Sequence, residues 1–232
     1  MRDGGKMTEP LLISENVREK IRGLIIITGV LEVGSPNIGL ISDYLNRCWR
    51  KLTETVRQHG YKTHPLIAQW REALRNAGVP LKRCPPSIEA IAKRTTKSDS
   101  PFSINPIVDV YNAISMDLVL PLGAYDVDQL DGGLSLRVCN APEPFIPLGG
   151  SEPEQTEVDE IVYADRSDIL TRHFLWRQAE KGKITSNSRK FMFLCELLDA
   201  MGAQMLMTAR SLVEEKFPSL LGGTLSEVTV LK

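Results

Sequence analysis

Alternating apolar runs and turn residues predict a strand followed by helices in the first part of the chain. The segment 23–33, GLIIITGVLEV, is rich in β-branched residues and predicts a buried strand. After it, apolar residues recur every three or four positions, which predicts an amphipathic helix with Asn37 as its N-cap. They are Ile38, Ile41, Leu45, Cys48, Leu52 and Val56. Further helices are predicted over about 66–77 and over SIEAIAKR, the latter capped by Ser87.

The middle of the chain is ambiguous, and short strands are predicted after it. The segment 104–121, INPIVDVYNAISMDLVLP, fits a helix at several positions, but its period does not decide the matter. Gly, Pro and Asp then separate LSLRVC, PFIPLGG, EIVYAD and DILTRHFLW, which predicts strands. Helical spacing returns from about 188 to 217, and LSEVTVLK predicts a final strand. Helices flanking a run of short strands favour an α+β fold.

The composition favours a globular protein and argues against several classes of binding protein. The 232 residues are 42% hydrophobic, enough to bury a core, and Lys+Arg 28 against Asp+Glu 29 gives a net charge of -1. This balance argues against a binder that relies on bulk positive charge, while a local basic patch stays possible. The four cysteines are scattered without a CxxC pair, which argues against a zinc site or a disulfide framework. We expect no metal and no cofactor.

Several features predict a soluble protein of the cytoplasm. The first ten residues, MRDGGKMTEP, lack the apolar core of a signal peptide. The longest aliphatic run is too short to span a bilayer. Scattered thiols fit a reducing compartment. We expect residues 1–10 to form a flexible tail and residues 11–232 to form a single domain.

Polar side chains interrupt the apolar segment 103–133. They are Asn105, Asp109, Asn112, Asp117 and Asp126. Buried polar groups cost free energy unless they are hydrogen-bonded. These residues are therefore either satisfied inside the protein or held in place for a ligand.

A series of short motifs resembles a known family. They are PSIEA (86–90), INPIVDVYNAIS (104–115), PLGAYDVD (121–128), PLGG (147–150), IVYAD (161–165), WRQ (176–178) and KIT (183–185). In this order they resemble the B3/B4 domain of the phenylalanyl-tRNA synthetase β-subunit, and more closely the free-standing proteins that carry it. The resemblance runs from about 80 to 195. It implies an α+β fold of two interleaved subdomains, with a β-sandwich-like core and flanking helices.

The resemblance also implies a function. In the synthetase, this domain hydrolyses the ester of tyrosine wrongly attached to the phenylalanine tRNA. A free-standing copy is then expected to hydrolyse a mischarged aminoacyl-tRNA in trans, with tRNA as partner and no DNA or membrane involved. One alternative is a non-catalytic module that binds tRNA or a free amino acid. A third is an enzyme for an unrelated small substrate on the same fold.

The residues that match the family's pocket are incomplete. The pocket asparagine falls on Asn112, but Gly123 stands at the histidine position and Leu194 at the glutamate that reads the tyrosine hydroxyl. Glu196 lies two residues away. A leucine cannot accept a hydrogen bond, so tyrosine specificity is not implied. Ester hydrolysis needs only an oriented water and a stabilised oxyanion, so catalytic residues stay unassigned.

Five residues are predicted to line the substrate pocket, and for four of them the alternative is a purely structural role. They are Asn112, Gly123, Tyr125, Asp126 and Glu89. Asn112 is expected to position a substrate carbonyl or amine, or else to satisfy buried backbone near a helix end. Gly123 allows close approach of a substrate to the backbone, or is an ordinary turn glycine. For Asp126 the alternative to a pocket role is to cap a backbone end or pair with another residue inside the protein. For Glu89 it is to face the positive end of the helix dipole at the start of its helix.

A second candidate surface lies in TRHFLWRQ and just beyond it. Its residues are Arg172, Trp176, Arg177 and Lys183. On a strand, alternate positions share one face, so an aromatic ring and cations together fit a terminal base and its phosphate. The alternative places Trp176 in the core, with the arginines satisfying the acidic loop EPEQTE.

Overall fold

The structure is a computed structural model that describes residues 11–232. Its α-helices are α1 (Glu15–Lys20), α2 (Ile38–His59), α3 (Pro65–Asn76), α4 (Ser87–Thr95), α5 (Pro106–Leu118) and α6 (Ala203–Leu221). Its strands are β1 (Leu12–Ile13), β2 (Leu24–Glu32), β3 (Leu122–Asp126), β4 (Ser135–Val138), β5 (Pro144–Phe145), β6 (Glu154–Gln155), β7 (Ile161–Ala164), β8 (Ile169–Arg172), β9 (Arg177–Gln178), β10 (Lys190–Leu198), β11 (Thr224–Leu225) and β12 (Thr229–Leu231). The flexible tail predicted for residues 1–10 lies outside the described residues.

Two five-stranded sheets form the centre of the fold. The first has the order β11–β2–β10–β3, with β12 also pairing with β2. The second has the order β1–β4–β7–β8–β9. Strands β2 and β10 pair antiparallel over their whole length, and β3 pairs with the other edge of β10 so that Gly123 lies opposite Leu194. The chain passes from one sheet to the other several times, so the two halves are interleaved.

The two faces of the first sheet contribute to two different cores. On β10, Phe191, Phe193 and Cys195 pack with apolar residues of α2, α4, α5 and α6. Met192 and Leu194, which point the other way, pack with residues of β4, β7 and β8 in the second sheet. Because successive side chains of a strand alternate between faces, one sheet closes both cores. The result is the expected α+β fold, a β-sandwich-like core with flanking helices.

Local signals predicted strand β2 and helices α2, α3 and α4, but they missed the short helix α1, and α4 begins at Ser87 after Pro86 without a side-chain cap. Strand β2 and helix α3 lie where hydrophobic pattern and turn residues placed them. Asn37 caps α2, since its side chain accepts a hydrogen bond from the Leu40 amide at 3.1 Å. The ambiguous segment is helix α5, which Asn105 caps by accepting from the Val108 amide at 3.0 Å. Val119, in the left-handed region at φ 56°, ends it and turns the chain into β3.

The helix predicted from about 188 was wrong in its first half. Residues 190–198 are strand β10, and the helix begins only at Ala203. Strand β10 is paired on both edges and buried on both faces, so its residues are apolar almost without interruption. Such a run carries no period of two, and a helical period fits it by chance.

The strand predicted through DILTRHFLW was also too long. Strand β8 ends at Arg172, and a turn follows in which His173 and Phe174 adopt left-handed φ values of 48° and 64°. The turn buries Phe174 in the core between the sheets. It also means that Arg172 and Trp176 do not lie on one face of a strand.

Candidate functional site

A cavity of about 290 Å³ lies between helices α4 and α5 and the two sheets. Helices α4 and α5 form one side, strands β3 and β10 form the floor, and strands β7 and β8 with the turn at 173–176 form the other side. The volume lies at the lower end of the range for small-molecule sites. It is of the size that holds an amino acid rather than a large cofactor.

Asn112 faces this cavity from α5, next to Tyr111. It is 8% exposed, and its side-chain amide makes no hydrogen bond to any residue within 11–232. The other polar residues of the segment have partners: Asp109, for example, accepts from the Ser103 hydroxyl at 2.6 Å and from the Ile104 amide at 2.8 Å. Since buried polar groups are normally paired, the Asn112 amide is available to a ligand.

Gly123 lies in the floor of the cavity, on β3. A Cβ atom placed on it would meet no heavy atom within 4 Å, and its φ is not positive. The glycine is therefore not required by the backbone here. Its missing side chain leaves open space in the part of the floor opposite Leu194.

Glu196 is the carboxylic acid of the cavity. It lies two residues from Leu194 on β10, and this spacing keeps both side chains on the same face of the strand, where both line the cavity. Glu196 is 3% exposed, and its Oε1 accepts a hydrogen bond from the Tyr163 hydroxyl at 2.9 Å. No other side chain among residues 11–232 hydrogen-bonds it.

Burial raises the pKa of Glu196 to about 8, and the Tyr163 hydrogen bond opposes that shift without cancelling it. The carboxyl is therefore mostly protonated at neutral pH. A carboxyl with a pKa near the working pH can take up and return a proton, as general acid–base catalysis requires. Its pKa is therefore suited to that role.

Tyr125 also lines the cavity. Its hydroxyl forms a hydrogen bond with the Thr171 hydroxyl across the gap between the two sheets. Gln178 closes the same side and donates to the Ala124 carbonyl at 3.2 Å. These contacts join the sheets and hold the cavity walls at a fixed separation.

Two predicted pocket residues lie outside the cavity lining. Glu89 points to Arg71, with 2.6 Å between its Oε2 and the guanidinium Nη1. Asp126 accepts from the Ser188 hydroxyl and from the Asp128 amide, so it anchors the end of β3. Both carboxylates are satisfied inside the protein, and the site therefore consists of Asn112, Gly123 and Tyr125 from the predicted set, joined by Glu196.

Arg172 is not available as a surface cation. Its guanidinium donates to both carboxylate oxygens of Glu160, at 2.8 and 2.7 Å, and the side chain is almost fully buried. Burial alone would raise the pKa of Glu160, but the hydrogen bonds from Arg172 and from the Glu157 amide, together with nearby positive charge, hold that pKa below its ordinary value. Arg172 Nη1 also donates to Glu154 Oε2 at 3.3 Å, so the arginine contacts the acidic loop EPEQTE as the alternative interpretation predicts.

The other three residues of that predicted surface lie in different surroundings. Trp176 is partly buried and lines the cavity. Arg177 lies 5.8 Å from the Trp176 ring but is paired with Glu154 at 2.9 Å. Lys183 is paired with Glu180. Only Trp176 of the four therefore belongs to the cavity.

Sequence reasoning missed the residues that come from the second sheet. Tyr163 and Thr171 reach the cavity from β7 and β8. The motif IVYAD indicated that this segment belongs to the family's pattern, but it did not predict that the Tyr163 side chain points into the cavity. Within residues 11–232, no group of three or more His, Cys, Asp or Glu side chains could hold a metal ion. In the same range, no helix is both long and apolar enough to cross a membrane.

Comparison with known families and sequences gives a consistent result. A family model described as the B3/4 domain matches residues 69–215, more than half of the chain. The phenylalanine–tRNA ligase beta subunit of Vibrio vulnificus (strain YJ016) is 31% identical over 93 residues, which is 40% of this chain and 11% of that protein. The corresponding subunit of Colwellia psychrerythraea is 35% identical over 86 residues, 37% of this chain and 10% of the relative. The matched segment is thus about a tenth of these relatives.

A solved structure has the same fold. It is an N-terminal fragment of the phenylalanyl-tRNA synthetase beta-subunit from Pyrococcus horikoshii, with a TM-score of 0.50 over 96% of this chain and 52% of the other. The sequence identity is 10%, so this likeness concerns the fold alone.

Proposed function

Because the chain belongs to the B3/4 domain family, we propose that it is an aminoacyl-tRNA editing domain that acts in trans and hydrolyses the ester of a mischarged tRNA. One observation carries the proposal. The side-chain amide of Asn112, which has no hydrogen-bond partner within residues 11–232, and the buried carboxyl of Glu196 line the same amino-acid-sized cavity. An ester needs a donor for its carbonyl oxygen and a group that moves a proton, and these two side chains supply them.

In the proposed reaction, a water molecule attacks the carbonyl carbon of the ester. Glu196, in its deprotonated form, takes a proton from that water, while the Asn112 amide donates a hydrogen bond to the carbonyl oxygen as it becomes negative. The intermediate then breaks the bond to the ribose oxygen, which receives the proton back from Glu196. The products are the free amino acid and a tRNA with a free terminal hydroxyl.

The remaining residues shape the cavity. Gly123 leaves room in the floor, and Tyr163 holds the Glu196 carboxyl in one orientation through its hydrogen bond. The rate of hydrolysis is then expected to rise with pH and to level off above about 8, where Glu196 is deprotonated.

A second function is favoured by the sequence itself. Gly123 and Leu194 stand where the family's pocket histidine and glutamate are expected. With those groups replaced, the cavity could serve as a non-catalytic site for tRNA or a free amino acid. The same cavity and the same Asn112 contact would then bind without hydrolysis.

Incubation of the protein with a panel of correctly and wrongly charged tRNAs tests the proposal. Selective loss of one mischarged species, slowed in Glu196→Gln, is the expected result. Saturable tRNA binding without hydrolysis of any species would establish the second function. If no panel member is hydrolysed or bound, both are wrong.

A further inference from the structure

The cations around the cavity fall into two groups. Arg172, Arg177 and Lys183 are each paired with a carboxylate, as described above. Arg94 and Lys97, by contrast, form no ion pair or hydrogen bond with their side chains within residues 11–232. Asp99, the acidic residue nearest to them in the sequence, pairs with neither. Within residues 11–232, Arg94 is the cation that lines the cavity, and neither Arg94 nor Lys97 is neutralised by a carboxylate.

Arg94 and Lys97 line a recess of about 230 Å³ next to the cavity. Arg94 and Phe102 belong to the walls of both spaces, so the recess adjoins the cavity directly. The Arg94 guanidinium lies 4.6 Å from the centre of the Phe102 ring, which holds it in place. Trp49 meets the other side of Phe102 edge-on, with 6.3 Å between ring centres, and helps to fix that ring.

The end of α4 explains only part of this arrangement. Cations are favoured in the last turn of a helix, which accounts for Arg94 near the end of α4. Lys97 lies beyond that helix. Serine side chains at 98 and 100 line the same recess, and the Ser100 hydroxyl has no partner among the described residues. The recess therefore combines two free cations with a free hydroxyl donor.

We propose that this recess binds a backbone phosphate of a single RNA strand whose end enters the cavity. The inference rests on the proposed function, because the ester of a charged tRNA is attached to the terminal ribose and a phosphodiester lies immediately before it. Guanidinium, ammonium and hydroxyl groups are the donors that bind phosphate oxygens. The nucleic-acid contact is thus at the end of α4 rather than in the segment TRHFLWRQ.

The test measures binding of a short, fluorescein-labelled single-stranded RNA by anisotropy over a series of salt concentrations. We expect Arg94→Gln and Lys97→Gln each to weaken binding and to reduce the slope of log K against log salt by about 0.7, the value for one lost contact to a single strand. Lys62→Gln is the control, since Lys62 is an exposed cation that lines neither space. All three positions are exposed, so folding is preserved.

The inference would be overturned by wild-type affinity and slope in both variants, or by an equal loss of affinity in Lys62→Gln. Titration with inorganic phosphate at constant ionic strength separates a strand from a free ion. RNA is expected to bind more tightly than phosphate, and equal affinity for phosphate would contradict a site for an RNA strand.

RNA binding that depends on Arg94 and Lys97 without any ester hydrolysis would refute the proposed function and leave this inference standing. Hydrolysis with an unchanged KM in both variants would remove this inference alone.

Discussion

Replacing Glu196 by glutamine is expected to stabilise the protein, and the gain should grow with pH. The carboxyl is 3% exposed and takes its proton into the folded state. Glutamine has nearly the same shape, keeps an oxygen that accepts the Tyr163 hydrogen bond and has no proton to lose. The variant therefore removes the titration while it leaves the packing of the cavity intact.

The magnitude follows from the pKa shift. The pKa of Glu196 is raised from 4.5 to about 8 on folding. The stability that comes from this group is complete below the unfolded value and is lost as the pH rises through the folded value. One pKa unit corresponds to about 1.4 kcal/mol, so the total loss in the wild type is about 5 kcal/mol. Between about pH 5 and 7.5, the free energy of unfolding of Glu196→Gln should gain about 1.4 kcal/mol per pH unit over wild type.

Urea unfolding followed by tryptophan fluorescence, from about pH 5 to about pH 9, measures this difference. Glu227→Gln serves as the matched control, because it makes the same substitution at an exposed glutamate outside the cavity. A difference between Glu196→Gln and wild type that does not vary with pH would refute the reasoning. It would mean that the carboxyl titrates as it does in water and is not a proton carrier with a pKa near neutrality.

Three further substitutions test the other parts of the account. Asn112→Ala should slow ester hydrolysis about 100-fold and change stability by less than about 1 kcal/mol, because the amide has no hydrogen-bond partner within residues 11–232; single-turnover rates and chemical denaturation measure the two effects. Gly123→Val should abolish ligand binding, measured calorimetrically, because the valine side chain fills the open floor of the cavity. Its stability should stay within about 0.5 kcal/mol of wild type, because a Cβ atom at this position meets no heavy atom within 4 Å. Arg172→Ala should destabilise by about 3–5 kcal/mol in urea unfolding, because it leaves Glu160 buried without its partner; a loss under about 1 kcal/mol would contradict the buried pair.

Local pattern predicted the elements that carry a short-range signal, such as the β-branched residues of strand β2 and the apolar stripe of helix α2. Helix α2 shows one apolar stripe and a capping asparagine, and both signals depend only on neighbouring residues. Strand β10 gave no such signal, because burial on both faces removes the alternation and, unlike β2, its residues KFMFLCELL include no β-branched side chain. Its identity follows from partners far away in the sequence, which local periodicity does not contain.

The candidate site was predictable to the extent that its residues lie in one segment. Asn112 and Gly123 come from α5 and β3, and the family resemblance marked both. Tyr163 comes from the opposite sheet, and its contact with Glu196 depends on how the two sheets pack. The contact of Arg172 with Glu160 also depends on how the chain folds. The sequence shows Glu160 twelve residues earlier but not that the two side chains meet, so Arg172 was predicted as a surface cation.

The rate of ester hydrolysis on the mischarged tRNA selected from the panel tests the central claim most directly. It is measured in single turnover for wild type, Asn112→Ala and a control, Asn187→Ala, whose side chain is exposed and lies outside the cavity. The account predicts hydrolysis by wild type and Asn187→Ala, and a rate about 100-fold lower for Asn112→Ala. Equal rates in all three proteins would show that the hydrolysis does not take place in this cavity.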